Sequence, residues 1–196
     1  MSKGWKYGLA TGAVIVGLVA FDQWLKLYIH SHYEIGEARE ITSWFWLCYI
    51  ENDGMAFGIE WFSKLLLTLF RIVAVGLLGW YIATLLLPLK ERELTGKEIG
   101  YLTMIALITA GALGNIVDCV FYGVAFDYAP LFYGKVIDMF YFPLIKNTAG
   151  EVLFFRPVFN LADSYITGAV IAILLFFRKE LNDTLLSKGE SGECEK

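Results

Sequence analysis

Two pairs of side chains in this sequence have the types and spacing that acid–base chemistry in an apolar environment requires. Asn160 and Asp163 are three residues apart at the start of an apolar run, and Asn115 and Asp118 have the same spacing at the end of another. Residues three apart lie on one face of a helix, so each pair would present an amide beside a carboxyl group. Ionisable groups in membrane spans are energetically costly and are functional candidates by default.

Carboxyl groups that meet in such a place could hydrolyse a peptide bond. Two neighbouring carboxylates cannot both ionise cheaply, so they share one proton. The ionised group can take a proton from water while the protonated one hydrogen-bonds the substrate carbonyl. Asparagine side chains could hold the substrate backbone or orient the carboxylates. This is the chemistry of aspartic peptidases.

The composition is that of a membrane protein. Of the 196 residues, 57% are hydrophobic and 18% are charged, against about 25% charged in soluble domains. The length suits one compact bundle, and the net charge of −4 argues against a nucleic-acid partner. The three cysteines are scattered and show neither a disulfide framework nor a metal motif.

Four segments are long and apolar enough to cross a bilayer as helices, and none has the alternation of a membrane barrel. They are residues 8–29, 65–87, 99–122 and 159–177. We therefore predict an all-α integral membrane protein with four transmembrane helices. Residues 1–181 form a single membrane domain in this prediction, and residues 182–196 form a disordered polar tail.

Basic residues near the span ends predict the orientation. They cluster before the first span, between the second and third, and after the fourth: Lys3, Lys6, Lys90, Arg92, Lys97, Arg178 and Lys179. This bias predicts cytoplasmic termini and two long connections on the outer side. The aromatic segment 41–50, followed by the turn signal Asn-Asp-Gly at 52–54, predicts a small β or aromatic platform there. Residues 123–158 are predicted to be a long outer loop.

These span directions bring separate polar groups to one membrane interface. The outer ends of three spans carry Asn115 with Asp118, Asn160 with Asp163, and the pair Asp22 and Lys26, while the outer connections carry Asn52, Gly54 and Asp138. Position alone does not distinguish Asp138 from Asp118 as a catalytic group.

At these residues the sequence resembles the lipoprotein signal peptidases, the type II (prolipoprotein) signal peptidases of bacterial inner membranes. Three blocks resemble the family's Asp-x-x-x-Lys, Asn-x-Gly-x-Ala-Phe-Gly and Gly-Asn-x-x-Asp, and two resemble the blocks that bear its catalytic aspartates. In chain order the five blocks are residues 22–26, 52–58, 114–118, 136–140 and 159–163. The set in this order is specific, although each block alone is weak.

The resemblance implies roles for the clustered residues. Asp138 and Asp163 would be the catalytic dyad. The residues that shape the site and hold substrate would be Asn52, Gly54, Asn115, Asp118 and Asn160. Independently of the resemblance, Asp22 and Lys26 are predicted to be a structural polar pair, because charges within a membrane span are kept only when paired.

The resemblance also implies the partners and the location. The substrate would be a diacylglyceryl-modified prolipoprotein, cut just before its lipidated cysteine. Membrane lipids and globomycin-type cyclic peptide inhibitors would be further partners, with no metal or organic cofactor. The enzyme would be a monomer of the bacterial inner membrane, with its active site at the periplasmic face.

Two features depart from the family pattern. The family usually has arginine after Gly-Asn-x-x-Asp, whereas this chain has Cys119, so a cation is missing there; Lys135 and Arg156 are candidates to replace it. The connection that holds Asp138 is also longer than in the common form of the family.

Arg71, well inside the second span, has no assigned function and is expected to snorkel or pair within the bundle.

Two other functions remain open from the residues. A small proton- or ion-coupled membrane carrier could use Asp22, Asp118 and Asp163 as its path, but that function predicts carboxylates spread through the membrane depth. A structural lipid-binding protein would tolerate loss of either Asp138 or Asp163. His30 and His32 have metal-like spacing, but a closed site needs four ligands, so no metal site is predicted.

Overall fold

Helices make up most of the computed structural model, which describes residues 2–53, 61–89, 92–146, 152–154 and 157–190. The helices are α1 (Lys3–His32), α2 (Trp61–Leu86), α3 (Gly96–Val117), a π-helical turn (Asp118–Tyr122), α4 (Gly123–Ala125), α5 (Leu161–Phe176) and α6 (Arg178–Glu190). The strands are β1 (Ala38–Thr42), β2 (Phe45–Asn52), β3 (Val136–Tyr141), β4 (Ile145–Lys146), β5 (Val152–Phe154) and β6 (Val158–Phe159).

Three helical segments of the described chain are long and apolar enough to cross a membrane by themselves. They are Lys3–His32, Lys64–Leu86 and Gly96–Ala125. The fourth candidate is bent, because α5 and α6 meet at 88°. The 16 residues of α5 extend about 24 Å, which is less than the roughly 30 Å of a bilayer core.

Helix α3 lies at the centre of the bundle and packs against α1, α2 and α5. Small residues allow this close packing. A side chain at Gly111 would collide with the carbonyl oxygen of Ala162 on α5, and one at Gly114 would lie 2.6 Å from the Asp22 carboxylate on α1. Large apolar side chains such as Leu77 and Trp80 are exposed on the outer face of α2, as expected of a surface in contact with lipid.

The aromatic platform is an antiparallel sheet with the strand order β1-β2-β3-β6. The predicted aromatic segment, residues 41–50, runs from the end of β1 through the turn into β2. The structure corrects the prediction of a long loop at residues 123–158, because Asp138 lies in β3, between β2 and β6. The first four residues of β3 are all buried, Asp138 included, so this part of the strand is covered on both faces and lacks the alternation used to recognise strands in sequences.

The C-terminal segment also differs from expectation. Residues 182–190, predicted to be disordered, continue α6 as a helix, and residues 191–196 lie outside the described chain. Leu181 packs against the apolar cluster of Tyr101, Ile105 and Ile173, which anchors a helix whose overall composition is polar. The division into a domain of residues 1–181 and a tail stays a prediction.

Candidate active site

Asp138 is held by two asparagine amides at the edge between the sheet and the bundle. Its side chain is 3% exposed. Asn52, the last residue of β2, donates from Nδ2 to Asp138 Oδ2 at 2.9 Å, and Asn160 donates from Nδ2 to Oδ1 at 2.7 Å. Both carboxylate oxygens of Asp138 therefore accept neutral donors.

Asp163 lies in the first turn of α5 and shares one of those asparagines. Asn160 is the N-cap of α5, and its Oδ1 accepts the backbone N–H of Asp163 at 3.0 Å. N-cap asparagine satisfies an N–H that has no partner within the helix. Asn115 of α3 donates from Nδ2 to Asp163 Oδ1 at 2.9 Å. Asn160 thus contacts Asp138 through its nitrogen and Asp163 through its oxygen, and links the two aspartates.

Burial and a neighbouring charge favour the protonated form of Asp138. Burial of the carboxyl group raises the pKa of Asp138 to about 6, and the negative charge of Asp163 adds to this increase. The hydrogen bonds from Asn52 and Asn160 act in the opposite direction, because they stabilise the carboxylate. The environment of Asp138 therefore favours a carboxyl group that carries a proton.

A second acidic cluster lies beside this pair and contains a cation. Lys26 Nζ is 2.8 Å from Asp22 Oδ2 and 2.6 Å from Asp118 Oδ2, and these side chains are at most 1% exposed. Lys26 also donates to Asn115 Oδ1 at 3.1 Å. Asp22 Oδ1 accepts the backbone N–H of Ala162 at 3.0 Å. We call Asp22, Lys26 and Asp118 the ion cluster.

The predicted site residues fall into these two groups. Asn52, Asn115, Asp138, Asn160 and Asp163 form one connected polar set. Asp118 joins the ion cluster, so the two Asn-x-x-Asp pairs do not have equivalent roles. Gly54 lies outside the described residues.

Sequence reasoning missed Gln23. Its Nε2 donates to Asp118 Oδ1 at 2.8 Å and to the carbonyl oxygen of Gly114 at 3.1 Å, while its Oε1 accepts the Tyr122 hydroxyl at 2.9 Å. The sequence feature that could have identified Gln23 is a polar amide side chain next to Asp22 inside an apolar span.

The cations considered near the site have different environments. Lys135 pairs with Glu51 at 3.1 Å, and Arg156 lies outside the described residues. Arg71, which had no assigned function, donates from Nη1 to Cys119 Sγ at 3.0 Å.

In the described part of the chain, no group of three histidine, cysteine or acidic residues could hold a metal ion. His30 instead contacts the hydroxyl of Tyr49 at 2.6 Å.

Comparison with known proteins identifies the family of this chain. The family model described as signal peptidase (SPase) II matches residues 14–178. A lipoprotein signal peptidase of Porphyromonas gingivalis is 38% identical over 199 residues, covering 89% of this chain and 85% of the relative. One of Streptococcus pneumoniae is 31% identical, covering 86% and 93%.

A solved structure has a similar fold. A bacterial membrane enzyme determined by the in meso method at 1.9 Å is similar with a TM-score of 0.61 and 25% identity, covering 85% of this chain and 90% of that one. Nothing in these matches supports the alternative of a membrane carrier. The chain belongs to the signal peptidase II family and is a membrane aspartic peptidase.

Proposed function

We propose that this peptidase removes signal peptides from diacylglyceryl-modified prolipoproteins by cleaving before the lipidated cysteine, with Asp138 and Asp163 as its catalytic dyad. One observation carries the assignment of the dyad: Asn160 contacts both residues. Within the described residues, neither aspartate forms an ion pair with a lysine or arginine. A pair of acids held only by amides is suited to share a proton.

The raised pKa of Asp138 supports a division of labour. Asp163, ionised, accepts a proton from a water molecule whose oxygen attacks the scissile carbonyl carbon. Asp138 donates its proton to the carbonyl oxygen, which yields a neutral tetrahedral intermediate. On collapse the C–N bond breaks, the proton on Asp163 goes to the leaving amine of the lipidated cysteine, and the intermediate's hydroxyl proton returns to Asp138.

The surrounding residues support this chemistry by fixing the carboxyl groups. Asn52, Asn115 and Asn160 direct their amide nitrogens at aspartate oxygens, so we assign them first to orientation of the dyad and second to substrate binding. We assign Asp22, Lys26 and Asp118 to the scaffold. Gly54 stays a predicted site-shaping residue.

The membrane arrangement is part of the proposal. We place four spans in the bacterial inner membrane, the fourth formed by α5 and the start of α6, with cytoplasmic termini and the sheet at the periplasmic face. Exposed Ile41 and Trp44 of the sheet region suit an aromatic-rich membrane interface. Membrane lipids would contact the exposed apolar faces, globomycin-type cyclic peptides would block the site, and the enzyme would act as a monomer.

The test is cleavage of a synthetic lipidated prolipoprotein peptide by the full-length enzyme in detergent or lipid. Asp138→Asn and Asp163→Asn should each lower the cleavage rate by at least about 100-fold, since each removes a proton-transfer group. In cells, uncut lipidated prolipoprotein should accumulate.

A suitable control is Asp127→Asn, because Asp127 is exposed and its φ of 60° is one that asparagine tolerates. This variant should retain full activity. Normal processing by both dyad variants would reject the proposed function.

A further inference from the structure

Arg71 is a cation inside an apolar helix, and it has an unusual partner. Its position on α2 is ten residues beyond Trp61, the first residue of the helix. Among the residues that the structure describes, its hydrogen bond is to Cys119 Sγ, at 3.0 Å, and no carboxylate lies within ion-pair distance. A thiol is a weak acceptor, whereas a guanidinium carries five N–H donors. Most of the donor capacity of Arg71 is therefore not used by these described partners.

The face of α2 that carries Arg71 contacts sequence neighbours of the candidate site residues Asn52 and Asp118. Lys64, Thr68 and Arg71 are spaced four and three residues apart, so they share one face. Lys64 and Thr68 are buried, and Lys64 pairs at 2.6 Å with Asp53, the neighbour of the Asn52 that binds Asp138. Arg71 lies about 10 Å further along the helix than Lys64.

Cys119 ties the same region to the dyad from the other side. It directly follows Asp118 of the ion cluster on the π-helical turn. Its carbonyl oxygen accepts the backbone N–H of Gly134 at 2.8 Å, two residues before the strand that bears Asp138. The Arg71 guanidinium thus contacts the π-helical turn, which continues the helix whose Asn115 binds Asp163 and pairs with the segment that leads into β3.

We propose that Arg71 is the substrate-positioning cation of this enzyme, and that it donates hydrogen bonds to carbonyl oxygens of the lipidated substrate. Its guanidinium reaches from α2 to position 119, where the family pattern otherwise has an arginine. Carbonyl oxygens that enter an apolar site lose their water partners, so a charged donor there binds them strongly. The inference rests on the proposed function, because it concerns the same substrate.

The direct test compares steady-state cleavage by the unmodified enzyme, Arg71→Gln and Arg71→Lys. Loss of a charge-assisted hydrogen bond should lower kcat/KM by about 10- to 100-fold. The loss should appear mainly as a higher KM, with the pH profile of kcat unchanged, because the dyad is intact. Arg71→Lys should be intermediate, since lysine keeps the charge but loses the planar fork.

A relocation experiment separates substrate binding from bundle packing. In the double variant Arg71→Gln with Cys119→Arg, the guanidinium enters the same region from the π-helical turn, and KM should recover most of its loss. The matched control is Arg92→Gln, which removes an arginine paired with Glu98 at 2.8 Å and should leave KM unchanged.

The carbonyl could belong to the lipid esters or to the peptide backbone, and substrate analogues distinguish them. With an ether-linked dialkyl substrate, which lacks ester carbonyls, an ester partner predicts equal KM for the unmodified enzyme and Arg71→Gln. A peptide partner predicts that the difference in KM persists.

Thermal unfolding of each variant in detergent checks the fold. A folded Arg71→Gln enzyme with unchanged KM would overturn the inference; should that variant not fold, unchanged KM in Arg71→Lys would overturn it equally. The proposed function fails separately, namely if Asp138→Asn and Asp163→Asn both cleave normally. An inactive Asp138→Asn together with a normal Arg71→Gln rejects only the role of Arg71.

Discussion

The ion cluster and the proposed dyad of Asp138 and Asp163 are two acidic groups in one small bundle, and they are stabilised in different ways. In the ion cluster, Lys26 lies between two carboxylates, and all three side chains are almost completely buried. In the dyad, asparagine amides from three different elements bind the carboxylates, and in the described chain no cation pairs with them. The number of acidic side chains is the same in both.

The start of α5 is where the two groups meet. Two consecutive backbone N–H groups there serve the two acidic groups. The N–H of Ala162 donates to Asp22 of the ion cluster, and the N–H of Asp163 donates to Asn160, whose amide binds Asp138. A helix N-terminus has such unpaired donors and favours negative charge. The difference suits the proposed roles: a cation neutralises the acid pair of the ion cluster, whereas the amides around Asp138 and Asp163 leave a proton to be shared.

The largest expected effect on stability comes from Lys26→Met, which leaves two carboxylates buried without their cation. Breaking a buried ion pair in this way should lower the free energy of unfolding by about 3–5 kcal/mol. Lys3→Met is the matched control on the same helix, because the partner of Lys3, Glu93, is 73% exposed, and its effect should be below about 1 kcal/mol. Equal unfolding temperatures of the two variants in detergent would contradict the structural role of the ion cluster.

The pH dependence of cleavage should report the dyad. The pKa of Asp138 is raised to about 6, so the proton needed for the carbonyl oxygen is lost as pH rises through about 6. We expect kcat/KM to fall roughly tenfold per pH unit above that point. Asn52→Ala removes a hydrogen-bond donor that stabilises the Asp138 carboxylate, so the pKa of Asp138 should rise. The decline of kcat/KM with pH should therefore begin at a higher pH. A decline that begins at a lower pH in this variant would reject the assignment of Asp138 as the proton donor.

Asn160→Ala should lower stability less than Lys26→Met does, but it should lower both stability and the rate of cleavage. It removes the cap of α5, at about 1 kcal/mol, and the amide that binds Asp138. Thr95→Ala is its control, because Thr95 caps α3 away from the dyad and should lower stability by a similar amount without loss of cleavage. Measured unfolding and kinetics of both variants test this, and equal activity of the two would show that Asn160 serves only the helix.

The smallest effect is expected for Lys135→Gln. Lys135 is partly exposed and already paired with Glu51, so its removal should change stability by less than about 1 kcal/mol and leave KM unchanged. A large increase in KM would instead identify Lys135 as the cation that binds substrate, in place of Arg71.

The sequence by itself determined the helices and much of the chemistry. Long apolar runs require helices in a membrane, because every backbone polar group must be satisfied within the segment. The three-residue spacing of Asn160 and Asp163 appears in the structure as a cap and its N–H donor, since that contact is local. The ordered blocks led to Asp138 and Asp163, although depth alone could not separate Asp138 from Asp118.

Only the tertiary structure decided which polar groups meet. Asn115 binds Asp163, 48 residues away, rather than serving its neighbour Asp118, and Arg71 reaches Cys119 across the same distance in sequence. Periodicity tells which face of a helix a residue occupies, but not which other helix faces it. The partner is fixed by close approach at small residues such as Gly111 and Gly114, and this approach exists only once the helices have packed.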